Sequence, residues 1–142
     1  MSDFLILNQV QRFMDWSSRK VQIHFASHRE VLFHESEIWW ANLGENVGSE
    51  TNGKNFRFEK PVIILKKYSH NLLFTIPCTS RLKEGSWFFA FRIEGRPRRA
   101  LIAQGRSISS KRLIRRMCRL EEKIFIDIQN AFLRLIKTDP SA

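Results

Sequence analysis

The side chains of this sequence with the clearest chemical potential are its Lys and Arg residues. They are concentrated in one part of the chain, where together they could bind a negatively charged partner. The 142-residue chain carries 24 Lys and Arg against 14 Asp and Glu. Residues 81–142 hold fifteen of the basic residues and six of the acidic ones, whereas residues 1–80 are nearly balanced. Clustered positive charge attracts polyanions. The pattern therefore favours RNA, DNA or an acidic segment of a protein as the partner, and charge alone does not separate these three.

The other reactive residue types do not form a recognisable catalytic set. His24 and His28 are four residues apart, but no third ligand of matching spacing accompanies them, so we expect no metal and no other cofactor. Cys78 and Cys118 lack the spacing of a redox or metal motif, and no cleavable signal peptide precedes them, so we expect two buried thiols in a reducing cytoplasm. There is no Gly-rich phosphate loop, nucleophile elbow or apolar run near the roughly 20 residues that span a bilayer. A membrane is therefore not an expected partner.

The N-terminal residues have the pattern of an amphipathic helix. Apolar residues recur at spacings of three and four over residues 3–27, which predicts a helix with a possible break near Ser17 and Ser18. The stripe consists of Leu7, Val10, Met14, Ser17, Val21 and Phe25. We expect this stripe to pack on the barrel of its own chain or of a dimer mate, because residues 1–28 are too nearly neutral to serve as an RNA-binding arm.

The middle of the chain alternates short apolar runs with turn residues, which predicts a small closed or half-closed barrel. Five strands are predicted, at residues 37–43, 62–65, 72–78, 87–93 and 100–104. Trp39 and Trp40 are adjacent in the first of them, so one fills the core and the other faces outward. A short helix is expected from Ser109 or Ser110 to Met117, and a longer one at residues 120–137. The length suits one mainly β domain with flanking helices.

An ordered set of short motifs resembles the PemK/MazF toxin family. The motifs are Glu-Ile-Trp-Trp-Ala-Asn-Leu-Gly at residues 37–44, Gly-Ser-Glu at 48–50, Asn-Gly-Lys at 52–54, Pro-Val-Ile-Ile-Leu at 61–65, Ile-Pro-Cys-Thr-Ser at 76–80, Ala-Gln-Gly-Arg-Ser-Ile-Ser at 103–109 and Lys-Arg-Leu at 111–113. The resemblance covers residues 36–136 and implies an SH3-like barrel with a C-terminal helix. We accordingly divide the chain into an N-terminal helical extension, residues 1–35, and a barrel domain, residues 36–142.

The resemblance also implies a function and a set of site residues. Members of the family are type II toxins, usually homodimers, that cut single-stranded RNA without a metal and are silenced by a cognate antitoxin. The family's catalytic Arg and Thr correspond to Lys60 and Thr79 here, and Glu50 matches an acidic loop residue that can act as a base or orient a cation. The remaining residues expected to bind RNA are Ser49, Asn52, Lys54, Arg57, Arg81, Gln104 and Arg106.

Lys60 is a departure from the family pattern and leaves alternatives open. A lysine can stabilise charge or donate a proton, but it lacks the planar fork of a guanidinium, and Arg57 or Lys54 could supply the cation in its place. The chain could therefore be a weakened relative that binds RNA or antitoxin without cutting, or a toxin of the same fold that inhibits a protein such as DNA gyrase. Other arginines form a diffuse phosphate-binding or antitoxin-binding surface in this interpretation, namely Arg98, Arg99, Arg112, Arg115 and Arg116.

Overall fold

The computed structural model describes residues 2–27 and 29–137, in which seven β-strands lie between two α-helices. The elements are α1 (Asp3–Phe25), β1 (Glu37–Asn42), β2 (Glu59–Lys67), β3 (Leu72–Thr79), β4 (Phe88–Ile93), β5 (Arg96–Leu101), β6 (Arg106–Ser109), β7 (Leu113–Arg119) and α2 (Glu122–Lys137). Single 3-10 turns, Ile102–Gln104 and Ser110–Arg112, separate β5, β6 and β7. Neither described helix is long and apolar enough to cross a membrane.

All strand pairs are antiparallel, and β3 is the strand about which the sheet bends. The path runs β4-β5-β3-β2-β1-β7. The first half of β3, Leu72 to Thr75, pairs with β6, and its last two residues, Cys78 and Thr79, pair with β5. Because β3 pairs with both β5 and β6, the sheet bends into a small barrel. Within the described residues no pairing joins β4 to β7, so the barrel is only half-closed. The predicted mainly β small-barrel fold with flanking helices is confirmed.

Two apolar clusters fill the two faces of the sheet, because alternate strand residues point to opposite sides. In β2, Ile63 and Leu65 join the cluster covered by α2, and Val62 and Ile64 join the other. Helix α2 contributes Ile128 to the first cluster. The predicted C-terminal helix is therefore present, with its apolar stripe against the sheet.

Helix α1 is continuous and is held at both ends. The Ser2 hydroxyl accepts a hydrogen bond from the Leu5 backbone N–H at 3.3 Å, which satisfies one of the free donors of the first turn. At the other end the Lys111 ammonium donates to the His24 carbonyl at 2.7 Å, where the negative end of the helix dipole favours a cation. The expected break at Ser17 and Ser18 does not occur.

The apolar stripe of α1 faces away from the rest of the chain. The residues at 7, 10, 14, 21 and 25 are all exposed, and the helix contacts its own barrel through the opposite face, on which Trp16 is only 6% exposed. The prediction that the stripe packs on the barrel of its own chain is therefore wrong. Arg12 and Trp16, one helical turn apart, make the contacts that dock the helix. The spacing of the apolar residues does not predict these contacts. A dimer mate as the cover of the stripe remains a prediction.

Three strands near the C-terminal end differ from the sequence-based expectation. β5 begins at Arg96, because Glu94 and Gly95 both adopt positive φ and form a tight hairpin turn after β4. The predicted helix from Ser109 or Ser110 to Met117 is wrong, since this segment contains the end of β6, one 3-10 turn and β7. The sequence of β7 does not predict a strand because it is rich in basic residues. In the fold, ion pairs with neighbouring strands stabilise it.

Candidate active site

Lys60 and Thr79 lie together at the base of one cleft. They belong to neighbouring strands, with Val62 of β2 paired to Pro77 of β3 just inside the sheet, and each residue is only 7% exposed. The cleft has a volume of about 340 Å³. Its walls include most of the residues predicted to bind RNA, namely Ser49, Asn52, Lys54, Arg81 and Gln104. Sequence motifs far apart in the chain thus meet at one place.

Burial and two cationic neighbours act on the ammonium of Lys60. Burial is the larger cause, and the charges of Lys54 and Arg81 add to it, so the pKa of Lys60 lies below its ordinary value of 10.5. Cys78 acts in the opposite direction, with an effect larger than that of Arg81. In the described part of the chain no carboxylate pairs with Lys60. A lysine in this setting can give up its proton more easily than a surface lysine does.

The Thr79 hydroxyl keeps its proton available for a ligand. Its Oγ1 accepts a hydrogen bond from the Arg81 backbone N–H at 3.2 Å. The hydroxyl donates a hydrogen bond to none of the described residues. A hydroxyl can donate while it accepts. Thr79 can therefore donate to a phosphate oxygen in the cleft.

The loop between β1 and β2, residues 43–58, forms the outer wall of the cleft and is braced by side chains. The Gln104 amide spans two loop residues: its Oε1 accepts from the Thr51 N–H at 2.6 Å, and its Nε2 donates to the Ser49 carbonyl at 3.0 Å. Asn52 accepts from the Asn46 N–H at 2.6 Å. In this structure Gln104 and Asn52 hold the loop, and each amide retains hydrogen-bonding capacity for a ligand.

Glu50 and Arg106 line an adjoining cleft and not the one that holds Lys60. This second cleft, about 660 Å³, shares Ser49, Thr51 and Gln104 with the first. The Glu50 carboxylate is exposed and accepts from the Val47 N–H at 2.8 Å within its own loop. The geometry thus separates the predicted base from the predicted cation by the shared wall of the loop.

Two residues depart from the sequence-based picture of this site. Trp87 lines the second cleft and is 62% exposed, although the sequence analysis did not single it out. The sequence does contain a feature that predicts this exposure. Trp87 is a large apolar residue directly after Gly85 and Ser86, in a turn where no core position is expected. Arg57 lines neither cleft: its guanidinium lies 5.5 Å from the Phe56 ring centroid on an exposed part of the loop.

The arginines of β7 are engaged within the chain. Arg115 pairs with the buried Glu59 at 3.2 Å and covers the Trp40 ring at 4.9 Å, and Arg116 pairs with the buried Glu37 at 3.1 Å. Arg115 and Arg116, two of the five arginines expected to form a phosphate-binding or antitoxin-binding surface, are thus engaged by carboxylates of the sheet.

The thiols and the histidines add no further chemistry to the site. Cys78 is buried as predicted, and burial raises its pKa to about 12, but Cys118 is only half-buried, so the prediction of two buried thiols is half wrong. His28 lies outside the described residues. Elsewhere in the described chain no group of three or more His, Cys, Asp or Glu is placed to hold a metal.

Comparison with known proteins defines the class of this chain. The sequence model of the PemK-like, MazF-like toxins of type II toxin-antitoxin systems matches residues 34–136. A search of curated proteins finds no match. Similar solved structures include MazF (Form-I) from Deinococcus radiodurans, with 18% identity, a TM-score of 0.63 and coverage of 76% of this chain and 99% of that one. MazE-MazF (Form-II) from the same organism has 16% identity, a TM-score of 0.58 and coverage of 77% and 99%.

The match spans most of the chain, which therefore belongs to the PemK-like, MazF-like family of type II toxins. The structural likenesses agree with this fold. Helix α1 precedes the matched residues.

Proposed function

We propose that this toxin is an endoribonuclease that cuts single-stranded RNA, with Lys60 and Thr79 at the reacting phosphate. The observation that carries the proposal is that a buried lysine of lowered pKa and a threonine hydroxyl that can still donate lie in one cleft, flanked by Lys54 and Arg81. Membership in a toxin family supports it. The barrel, residues 36–142, is the catalytic domain in this proposal.

The reaction is an internal transesterification that needs no metal. The ribose 2′-oxygen attacks its own phosphorus, the bond from phosphorus to the 5′-oxygen breaks, and a 2′,3′-cyclic phosphate and a 5′-hydroxyl result. The Lys60 ammonium gives its proton to the leaving 5′-oxygen, while Thr79 and the cations beside it stabilise the charged phosphorane. Glu50 lines the adjoining cleft, so it takes the 2′-hydroxyl proton through a water molecule.

The second cleft is the binding site for a neighbouring nucleotide. Trp87 offers an exposed ring on which a base stacks, and Arg106 offers a cation for a phosphate. Ser49 and Gln104, which belong to both clefts, contact the RNA where it passes between them, and Asn52 contacts it in the first cleft. Arg57 contacts the RNA strand outside the clefts.

The proposed partners are a cognate antitoxin, a second copy of this chain and RNA, all in the cytoplasm. The antitoxin is supported by family membership and by the similar structure described as MazE-MazF. The net charge of +10 suits both an acidic antitoxin segment and RNA.

A noncutting binder is the second candidate, and two observations favour it: lysine stands in the place of the family arginine, and Glu50 lies outside the first cleft. Incubation of the pure protein with mixed RNA in EDTA separates the candidates. We expect cleavage by the wild type, at least about tenfold slower cleavage by Thr79→Ala, and an unchanged RNA affinity for that variant. RNA retention without cleavage would favour the binder. Neither binding nor cleavage would favour a toxin with a protein target such as a gyrase.

A further inference from the structure

We propose that Arg12 of helix α1 is a positioning residue that holds the 43–58 loop in place at the catalytic cleft. The inference rests on the proposed function for its catalytic consequence. Its structural part concerns a helix that precedes the residues matched by the family.

The Arg12 guanidinium contacts both ends of the loop at once. Its Nε donates to the Glu45 carboxylate at 2.6 Å, near the start of the loop. Its Nη1 donates to the Asn55 carbonyl at 2.9 Å and its Nη2 to the Gly53 carbonyl at 3.3 Å, near the end. A guanidinium suits this role because it presents several donors in a rigid plane, which an ammonium cannot do.

Packing around the guanidinium keeps it in this position. Arg12 lies 4.2 Å from the centroid of the Phe58 ring, and the Trp16 ring lies 5.4 Å from the same ring. Trp16 also packs directly against Gly44, where any β-carbon would overlap the indole. The inner face of α1 is thus seated on the loop that carries the site residues.

The residues that Arg12 holds flank those that enter the cleft. Lys54 lies between Gly53 and Asn55, whose carbonyls Arg12 binds, and Asn52 directly precedes Gly53. Both Asn52 and Lys54 line the cleft with Lys60. Because a misplacement of about 1 Å at a reacting centre can cost two orders of magnitude in rate, fixing this backbone has a catalytic consequence.

The test compares Arg12→Ala with Arg12→Lys and with Arg19→Ala. Arg19 is a matched control, because it is an arginine of the same helix whose guanidinium donates to the Gln22 side chain at 3.5 Å, within that helix. We expect Arg12→Ala to speed amide hydrogen exchange of residues 44–58 at least about tenfold, with β2 and β3 unchanged. We expect kcat to fall at least about tenfold, and KM to rise less. Arg12→Lys should lie between, and Arg19→Ala should behave as the wild type.

The two readouts separate this inference from the proposed function. A wild type that does not cut RNA would refute the function, and the exchange measurement would still decide whether Arg12 holds the loop. Unchanged exchange of residues 44–58 in Arg12→Ala would overturn the inference. Faster exchange with an unchanged kcat in an active enzyme would overturn its catalytic part.

Discussion

At the scale of single residues, the environment of Lys60 determines what the site can do. An arginine would remain charged over the accessible pH range, but a buried lysine beside Lys54 and Arg81 has a lowered pKa. The residue that departs from the family pattern is therefore also one whose charge changes with pH more readily than that of an arginine. The difference is measurable as a pH profile.

The first prediction is that cleavage declines at alkaline pH below the ordinary lysine pKa of 10.5. Lys60 can act as the acid only while it is protonated, so activity is full below its lowered pKa and is lost as pH rises through it. Turnover of a short single-stranded RNA, measured across pH 6 to 10, should show an alkaline limb that begins at a lower pH than a lysine of ordinary pKa would give. Lys60→Arg should lack it, and Lys60→Ala should be inactive. If the profiles of the wild type and Lys60→Arg coincide, the cation lies elsewhere, with Lys54 the next candidate.

The second prediction concerns the two thiols. Only the thiolate is nucleophilic, and burial raises the pKa of Cys78 to about 12, so this thiol should resist alkylation at pH 8 until the protein unfolds. Cys118 is half-buried, and burial together with the nearby Glu94 carboxylate raises its pKa, so it should react slowly in the native protein. Mass spectrometry after timed alkylation measures both rates. Rapid native labelling of Cys78 would contradict the buried position.

At the scale of elements, the contact between α1 and the β1–β2 loop depends on a glycine. Gly44 has φ +85°, and Trp16 occupies the space where a side chain would lie. Gly48, in the same loop, has φ +57° with open space around it. A substitution at Gly48 therefore measures the cost of backbone strain alone, and a substitution at Gly44 measures that cost together with the loss of helix docking.

The third prediction is that Gly44→Ala destabilises the fold more than Gly48→Ala. Both should lose about 1 kcal/mol to left-handed backbone, and Gly44→Ala should lose a further 1–3 kcal/mol, roughly, because it displaces Trp16. Chemical denaturation measures the free energies of unfolding. In a Trp16→Ala background the additional loss should disappear. Equal costs for the two glycine variants in the wild-type background would show that Trp16 does not depend on Gly44.

At the scale of the whole molecule, the positive charge divides into two groups with different tasks. The β7 arginines Arg115 and Arg116 neutralise buried carboxylates of the sheet. Among the residues that the structure describes, Lys54 and Arg81 line the cleft without such partners. The count of 24 basic residues alone therefore overstates the charge that is free for RNA.

The fourth prediction is that the two groups differ in the salt dependence of RNA binding. Each phosphate contact on a single strand contributes about −0.7 to the slope of log affinity against log salt. The Lys54→Ala/Arg81→Ala double variant should therefore flatten the slope by about 1.4. Arg115→Glu/Arg116→Glu should instead lower the melting temperature, because it places like charges beside Glu59 and Glu37. Affinity titrations at several salt concentrations and a thermal melt measure both, and the opposite assignment of effects would refute the division.

The mainly β fold and the candidate site residues could be predicted from the sequence, because strand and helix patterns are local and the family motifs are short runs of residues. Alternation in β1 predicts that Trp39 or Trp40 is buried, and Trp39 is the one that fills the core. The periodic stripe of α2 predicts the helix that covers the sheet. The family resemblance predicts that Lys60 and Thr79 belong to one site, which stays a prediction, and both residues line one cleft.

The tertiary structure alone decided which predicted residues share a cleft and which face of α1 is used. Glu50 and Lys60 are separated because loop geometry depends on braces such as Gln104 and Arg12, whose partners are distant in sequence. The strand β7 was hidden because its basic residues are stabilised by carboxylates on β1 and β2, a pairing that exists only once the sheet has formed. Helix α1 docks by Trp16 and not by its apolar stripe, because the free energy of docking depends on the shape of the surface it meets, and Gly44 leaves the space that the indole fills.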